Sequence, residues 1–121
     1  MARPTRKLDI RLKRAYEPPS RDDGARILVD RLWPRGLRKE DVAVEQWLKQ
    51  LAPSTELRRW FGHEPARWAE FRRRYEAELS HETELLDELR DRARRGPLTL
   101  VYGAHDELHN DAVVLRDVLL R

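Results

Sequence analysis

The chain contains no cysteine. That single absence excludes disulfide bonds, thiolate metal ligands and thiol catalysis together. No apolar run approaches the roughly 18 residues of a membrane span, and the N-terminus lacks the apolar core of a signal peptide. The expectation is a cytoplasmic protein without membrane association. A Gly-x-Ser-x-Gly elbow, a phosphate loop and a Gly-x-Gly-x-x-Gly fingerprint are also missing. Internal repeats and low-complexity tracts are absent too. None of these patterns asks for a cofactor, and none is expected.

What is present is charge. At 121 residues, 40% hydrophobic and 39% charged, the chain has the size of one heavily solvated domain with a single core. The net charge of +3 is unevenly spread. Residues 1–14 hold Arg3, Arg6, Lys7, Arg11, Lys13 and Arg14 against Asp9 alone. The expected organisation is a flexible basic arm over residues 1–7, followed by one domain over 8–121. Such an arm binds nucleic acid or another polyanion, or is simply a solvated terminus.

Hydrophobic periodicity gives the elements. Leu8, Ile10 and Leu12 alternate with charged residues, predicting a half-exposed edge strand over 8–14. The Pro- and Gly-containing segment 15–25 is too short for a helical crossover and predicts a compact loop. Residues 26–33 predict a central strand. Beyond Gly36, Asp41 predicts the cap of a helix with Val44, Trp47, Leu48 and Leu51 on one face, stopped by Ala52-Pro53. Ser54 then caps a short helix bearing Leu57, Trp60 and Phe61, closed by Gly62. Helices follow over 64–79 and 82–95, the second ended by Gly96-Pro97. A buried strand over 98–102, a loop over 103–107 and a helix over about 108–120 complete the chain. The fold class is α/β: a small three-layer domain with a short, mainly parallel sheet flanked by helices.

The segment Ile27-Leu-Val-Asp-Arg-Leu-Trp-Pro-Arg-Gly36 is the focus. An apolar run breaks into Asp30, Arg31, Trp33 and Arg35 just where Pro34 and Gly36 forbid strand or helix. Ionisable groups leaving a buried strand at its carboxyl end build a pocket better than a core, because ligands of open α/β sheets sit there. If the buried strands are parallel, the helix start at Ser54 and the loop after Tyr102 meet the same edge.

Arg31, Arg35 and Arg58 offer forked donors suited to phosphate or carboxylate, and the helix starts at Ser54 and Asn110 offer free amides. Gly36 lets the backbone approach a ligand. Trp33 either stacks on a planar ligand or covers the core edge. An Asp30–Arg31 or Asp30–Arg35 ion pair that only fixes the loop is the plain alternative. Asp30, Tyr102 and His105 are the acid/base candidates. His105 and His109 stand four apart beside Asp106, near a metal-ligand spacing, yet the loop-to-helix boundary runs between them and no metal site is expected.

Several of these segments, Arg14-x-Tyr16, Asp23-Gly24, Leu28-Val-Asp-Arg-Leu-Trp-Pro-Arg-Gly36, Pro53-Ser-Thr-Glu-Leu-Arg58, Phe71-x-x-x-Tyr75 and Leu98-Thr-Leu-Val-Tyr102, form a pattern. It resembles the YeaO-like bacterial proteins, the domain of unknown function 488 family, from about residue 8 to 120. The resemblance implies a small cytoplasmic α/β domain. A longer branch of the family carries cysteines in the loop after a late strand. The loop 102–110 here has none, so thiolate chemistry does not carry over.

Three readings of function follow. In the first, an arginine-lined pocket binds a small anionic ligand, with or without catalysis. In the second, the protein is a nucleic-acid-binding or regulatory module that uses its basic arm. An interaction domain with charged helices is a third.

Overall fold

A computed structural model describes residues 8–121. Its centre is a four-stranded sheet in the order β1-β4-β2-β3: β1 Ile10–Arg14, β2 Ala25–Leu28, β3 Gln46–Trp47 and β4 Leu98–Tyr102. Every pairing is parallel. Leu98 stands opposite both Ile10 and Ala25, so the three longer strands start in register. β4 is buried along its whole length because it has a neighbour on each edge and packing on each face. β1 alternates as expected at an edge, with Ile10 and Leu12 against the core and Arg11 exposed.

The two faces are covered unequally. Ile27, Val29, Leu98, Leu100 and Tyr102 pack beneath α2 (Thr55–Phe61), α3 (Trp68–Leu79), α4 (Thr83–Arg94) and α5 (Asp111–Leu119). Leu28 and Val101 on the opposite face meet Val42 of the one-turn α1 (Lys39–Val42) together with Trp33, Leu37, Val44 and Trp47. The helices form where apolar residues recur at helical spacing: Phe71, Tyr75 and Leu79 in α3, and Leu86, Leu89 and Ala93 in α4. Tyr75 places its hydroxyl on the Leu51 carbonyl, which removes the cost of burying it. No helix among the described residues is long and apolar enough to cross a membrane.

One predicted helix is not there. Asp41 sits inside α1, which ends after one turn because Ala43 adopts the left-handed conformation at φ 50°. The chain then pairs with β2 as β3 and closes a 3-10 turn at Lys49–Leu51. Trp47 and Leu48 point to opposite faces of the sheet, Trp47 toward Leu28 and Leu48 toward the main core. Their period is therefore 2 where the spacing suggested 3.6. The central strand is also shorter than predicted. β2 ends at Leu28, Val29 continues the ladder by donating to the Val101 carbonyl, and the backbone turns at Asp30. The predicted helix over 64–79 begins as a 3-10 turn at Pro65–Arg67.

The basic arm over 1–7 lies outside the described residues. Of the basic residues that follow it, Arg11 is bonded to Asp9 and the Asp22 carbonyl, Lys13 to Asp23, and Arg14 to the Ala104 carbonyl and His105. Their charge is spent within the fold.

Candidate functional site

A parallel sheet puts all its carboxyl ends on one edge, and the chain has loops to spare there. Tyr16 follows β1, Asp30 to Arg35 follow β2, Pro53 follows β3 and its turn, and Gly103 to Asp111 follow β4. With Arg58 and Phe61 of α2, His63, and Phe71 of α3, these segments enclose a recess of about 630 Å³. The Asp30–Arg35 stretch forms one wall of it.

Two carboxyls lie at its base. Asp30 Oδ2 accepts a hydrogen bond from the Gly103 amide at 2.8 Å, and the Asp30 carbonyl accepts one from Trp47 Nε1 at 2.7 Å. Gly103 allows that close approach: a Cβ there would lie 3.2 Å from Oδ2. The Asp30 and Asp111 carboxyls adjoin each other and each acts on the other's ionisation, an arrangement that favours one proton held between them. Burial raises the Asp30 carboxyl above its ordinary pKa, against the opposing pull of its hydrogen bonds and of His63. Burial, joined by the Asp30 charge, pushes Asp111 well above the usual carboxylate range. No arginine forms a salt bridge with either acid among the described residues, so the plain alternative, an Asp30–Arg31 or Asp30–Arg35 pair, is not made.

Arg31 instead donates Nε to the Pro53 carbonyl at 2.9 Å and Nη2 to the Ala52 carbonyl at 3.4 Å, tying the loop after β2 to the segment before α2. Arg35 and Arg58 line the recess, are exposed, and have no side-chain partner among the described residues. His105 lines the rim with Nδ1 3.3 Å from the Arg14 guanidinium. His109 sets Nδ1 2.9 Å from Asp106 Oδ2 and its ring edge-on to Trp68 at 5.2 Å. Asp106 is held below the usual carboxylate range by amide bonds from Leu108 and His109 and by the His109 ring. The two histidines thus answer to different partners, and no metal-holding group of three His, Asp or Glu side chains occurs among the described residues.

Other predicted site residues are occupied elsewhere. Ser54 does cap α2, with Oγ accepting the Leu57 amide, but the anion at that helix start is Glu78 of the same chain. Glu78 takes the Ser54 amide at 2.8 Å and its hydroxyl at 2.6 Å, and Ser54 does not line the recess. Tyr102 is buried and does not line the recess either, because even-numbered β4 residues face the main core. Burial raises its pKa, which makes it a poorer acid. Gly36 turns the chain at φ 82° outside the lining. Asn110 does line it, but as the cap of α5, accepting the Val113 amide and donating to the Asp106 carbonyl. Trp33 reaches the recess while donating Nε1 to the Leu37 carbonyl and resting on Trp47, so most of it covers the second core.

Sequence reasoning missed Asp111, Tyr16 and His63 as lining residues. An acid at the first position of a helix is common for its effect on the helix dipole, so Asp111 carried no distinctive signal. His63, exposed after Gly62, read as a surface residue. Tyr16 is set by a bond from its hydroxyl to the Arg35 carbonyl at 2.9 Å, a contact across 19 residues.

Residues 9–121 match the family model described as "Inactive DUF488-N3 subclade". The chain is 47% identical over 112 residues to the uncharacterised protein YeaO of Escherichia coli K12, covering 93% of this chain and 97% of that one. It is 44% identical over 119 residues to the uncharacterised Rv3073c of Mycobacterium tuberculosis H37Rv and to Mb3100c of Mycobacterium bovis, covering 98% of each chain. No solved structure matches.

Proposed function

The chain belongs to the DUF488 family, in the N3 subclade described as inactive, and we propose that its recess binds a small anionic molecule. One observation carries this reading. Arg35 reaches the recess from the loop after β2 and Arg58 from α2, both with their guanidinium groups unpartnered among the described residues, while Arg31 beside them is bonded to backbone. A guanidinium fork left open at the mouth of a concave site is suited to a carboxylate or phosphate. Arg31 then acts as a positioning residue that holds the loop carrying Arg35. The subclade's description as inactive favours binding over turnover.

A thermal-shift panel tests the reading, with phosphate, sulfate, simple carboxylates, nucleotides and short RNA and DNA on wild type, Arg35→Ala and Arg58→Ala at low and high salt. At least one small anion should stabilise the wild type and lose most of its effect in both variants. Equal stabilisation of all three proteins, or a response to oligonucleotides alone that salt erases, would contradict it.

A further inference from the structure

We propose that the ligand of this recess is an aromatic monoanion carrying a hydrogen-bond donor at the end opposite its charge. The inference rests on the anion-site reading and adds the rest of the molecule to it.

The volume sets the scale. A recess of about 630 Å³ lies in the usual range for organic ligands and far exceeds an inorganic ion. Its walls supply the second argument. The exposed large hydrophobic side chains among the described residues are Tyr16 (44%), Leu32 (58%), Leu108 and Leu120, and the first two both face this recess. A single exposed leucine needs no explanation, but two apolar side chains turned into one concavity beside Trp33 form a surface that a ligand body would desolvate. Tyr16 is held in place there, with its hydroxyl on the Arg35 carbonyl and the Arg14 guanidinium 5.2 Å from its ring centroid. The cationic groups favour a flat partner as well, since a guanidinium stacks on aromatic faces as readily as it forks onto a carboxylate.

The base of the recess gives the third. Asp30 and Asp111 are half-buried with their carboxyls shielded from water, while Arg35 and Arg58 are exposed, so the two signs of charge are separated along the recess. An anion is attracted to the mouth and repelled from the base. An amino or hydroxyl group is welcome at the base, where carboxylate oxygens accept its hydrogen bond. A molecule with charge at one end, a ring in the middle and a donor at the other matches all three zones.

Calorimetric titration of the wild type with 4-aminobenzoate, benzoate, cyclohexanecarboxylate and acetate reads each zone in turn. The expected order of affinity is the order named, with the ring worth about fivefold over cyclohexane and the amine several-fold more. The Arg35→Ala/Arg58→Ala double variant should weaken the three cyclic acids at least tenfold. If benzoate and cyclohexanecarboxylate bind alike, or the amine adds nothing, the inference fails while the anion reading stands on the arginine dependence. If none of the four binds, the inference fails and the phosphate, sulfate and nucleotide arms of the thermal-shift panel decide the anion reading; if binding ignores the arginines, the anion reading fails and takes the inference with it.

Discussion

At the start of β2, Asp23 is only 7% exposed and has every oxygen accounted for. Its carboxylate accepts from Arg26 at 2.7 Å, from Lys13 at 3.1 Å and from the Ser20 amide at 2.9 Å, and its carbonyl takes the Thr99 hydroxyl at 2.7 Å. Arg26 completes the arrangement by placing two nitrogens on the Val42 carbonyl. At the end of the same strand Asp30 has one amide, one neighbouring acid and no cation bonded to it. Burial raises the pKa of Asp23, but the bonds from Ser20, Lys13 and Arg26 outweigh it and hold the group below its ordinary value. At Asp30 and Asp111 burial wins. The difference teaches where this fold matches its charges and where it does not: one end has its charge paired, and the other keeps its cations and acids apart in a recess.

The contrast breaks most visibly at the matched end. Asp23→Ala leaves the Arg26 guanidinium buried without its carboxylate and should cost about 3–5 kcal/mol, read as a lowered urea midpoint. At the open end the sign reverses. Asp111 binds its proton more tightly folded than unfolded, so its contribution is intact below about pH 4 and is lost progressively as pH rises through its raised folded pKa. Asp111→Asn should therefore stabilise the protein by about 1–2 kcal/mol at pH 7–8, a few degrees in Tm, and leave it unchanged at pH 3. Asp23 behaves oppositely, its stabilisation present above about pH 4 and lost as pH falls through its lowered folded value. Gly103→Ala sharpens the comparison by pressing a Cβ toward Asp30 Oδ2, for a loss of about 1 kcal/mol in denaturant titrations. Arg58→Ala, with nothing bonded to its side chain among the described residues, should move stability by no more than about 0.5 kcal/mol, which distinguishes an unpartnered arginine of the recess from a structural one.

Much of this was legible in the chain itself. The buried runs Ile27–Val29 and Leu98–Tyr102 announced two central strands, and the sudden charge of Asp30 to Arg35 marked the sheet edge where the recess lies. β3 was not legible, because Val44, Trp47, Leu48 and Leu51 fall on one side of a helical wheel and only the left-handed turn at Ala43 and pairing with β2 redirect them. Asp111 was hidden for a different reason. Its local context is that of any helix start, and only the strand order, which sets β4 beside β2, brings α5 against Asp30. Ser54 misled because nothing near it in sequence reveals that Glu78, 24 residues on, has filled its helix end.

The most direct test of the contrast between the two ends is a carboxyl-carbon NMR titration that follows Asp23, Asp30 and Asp111 in one sample. Asp23 should titrate below the ordinary aspartate range, while the Asp30–Asp111 pair loses its two protons in two linked steps, the shared one last and well above that range. If Asp30 and Asp111 both titrate independently near pH 4, the recess holds no proton-sharing pair and the two ends of β2 do not differ in the way described.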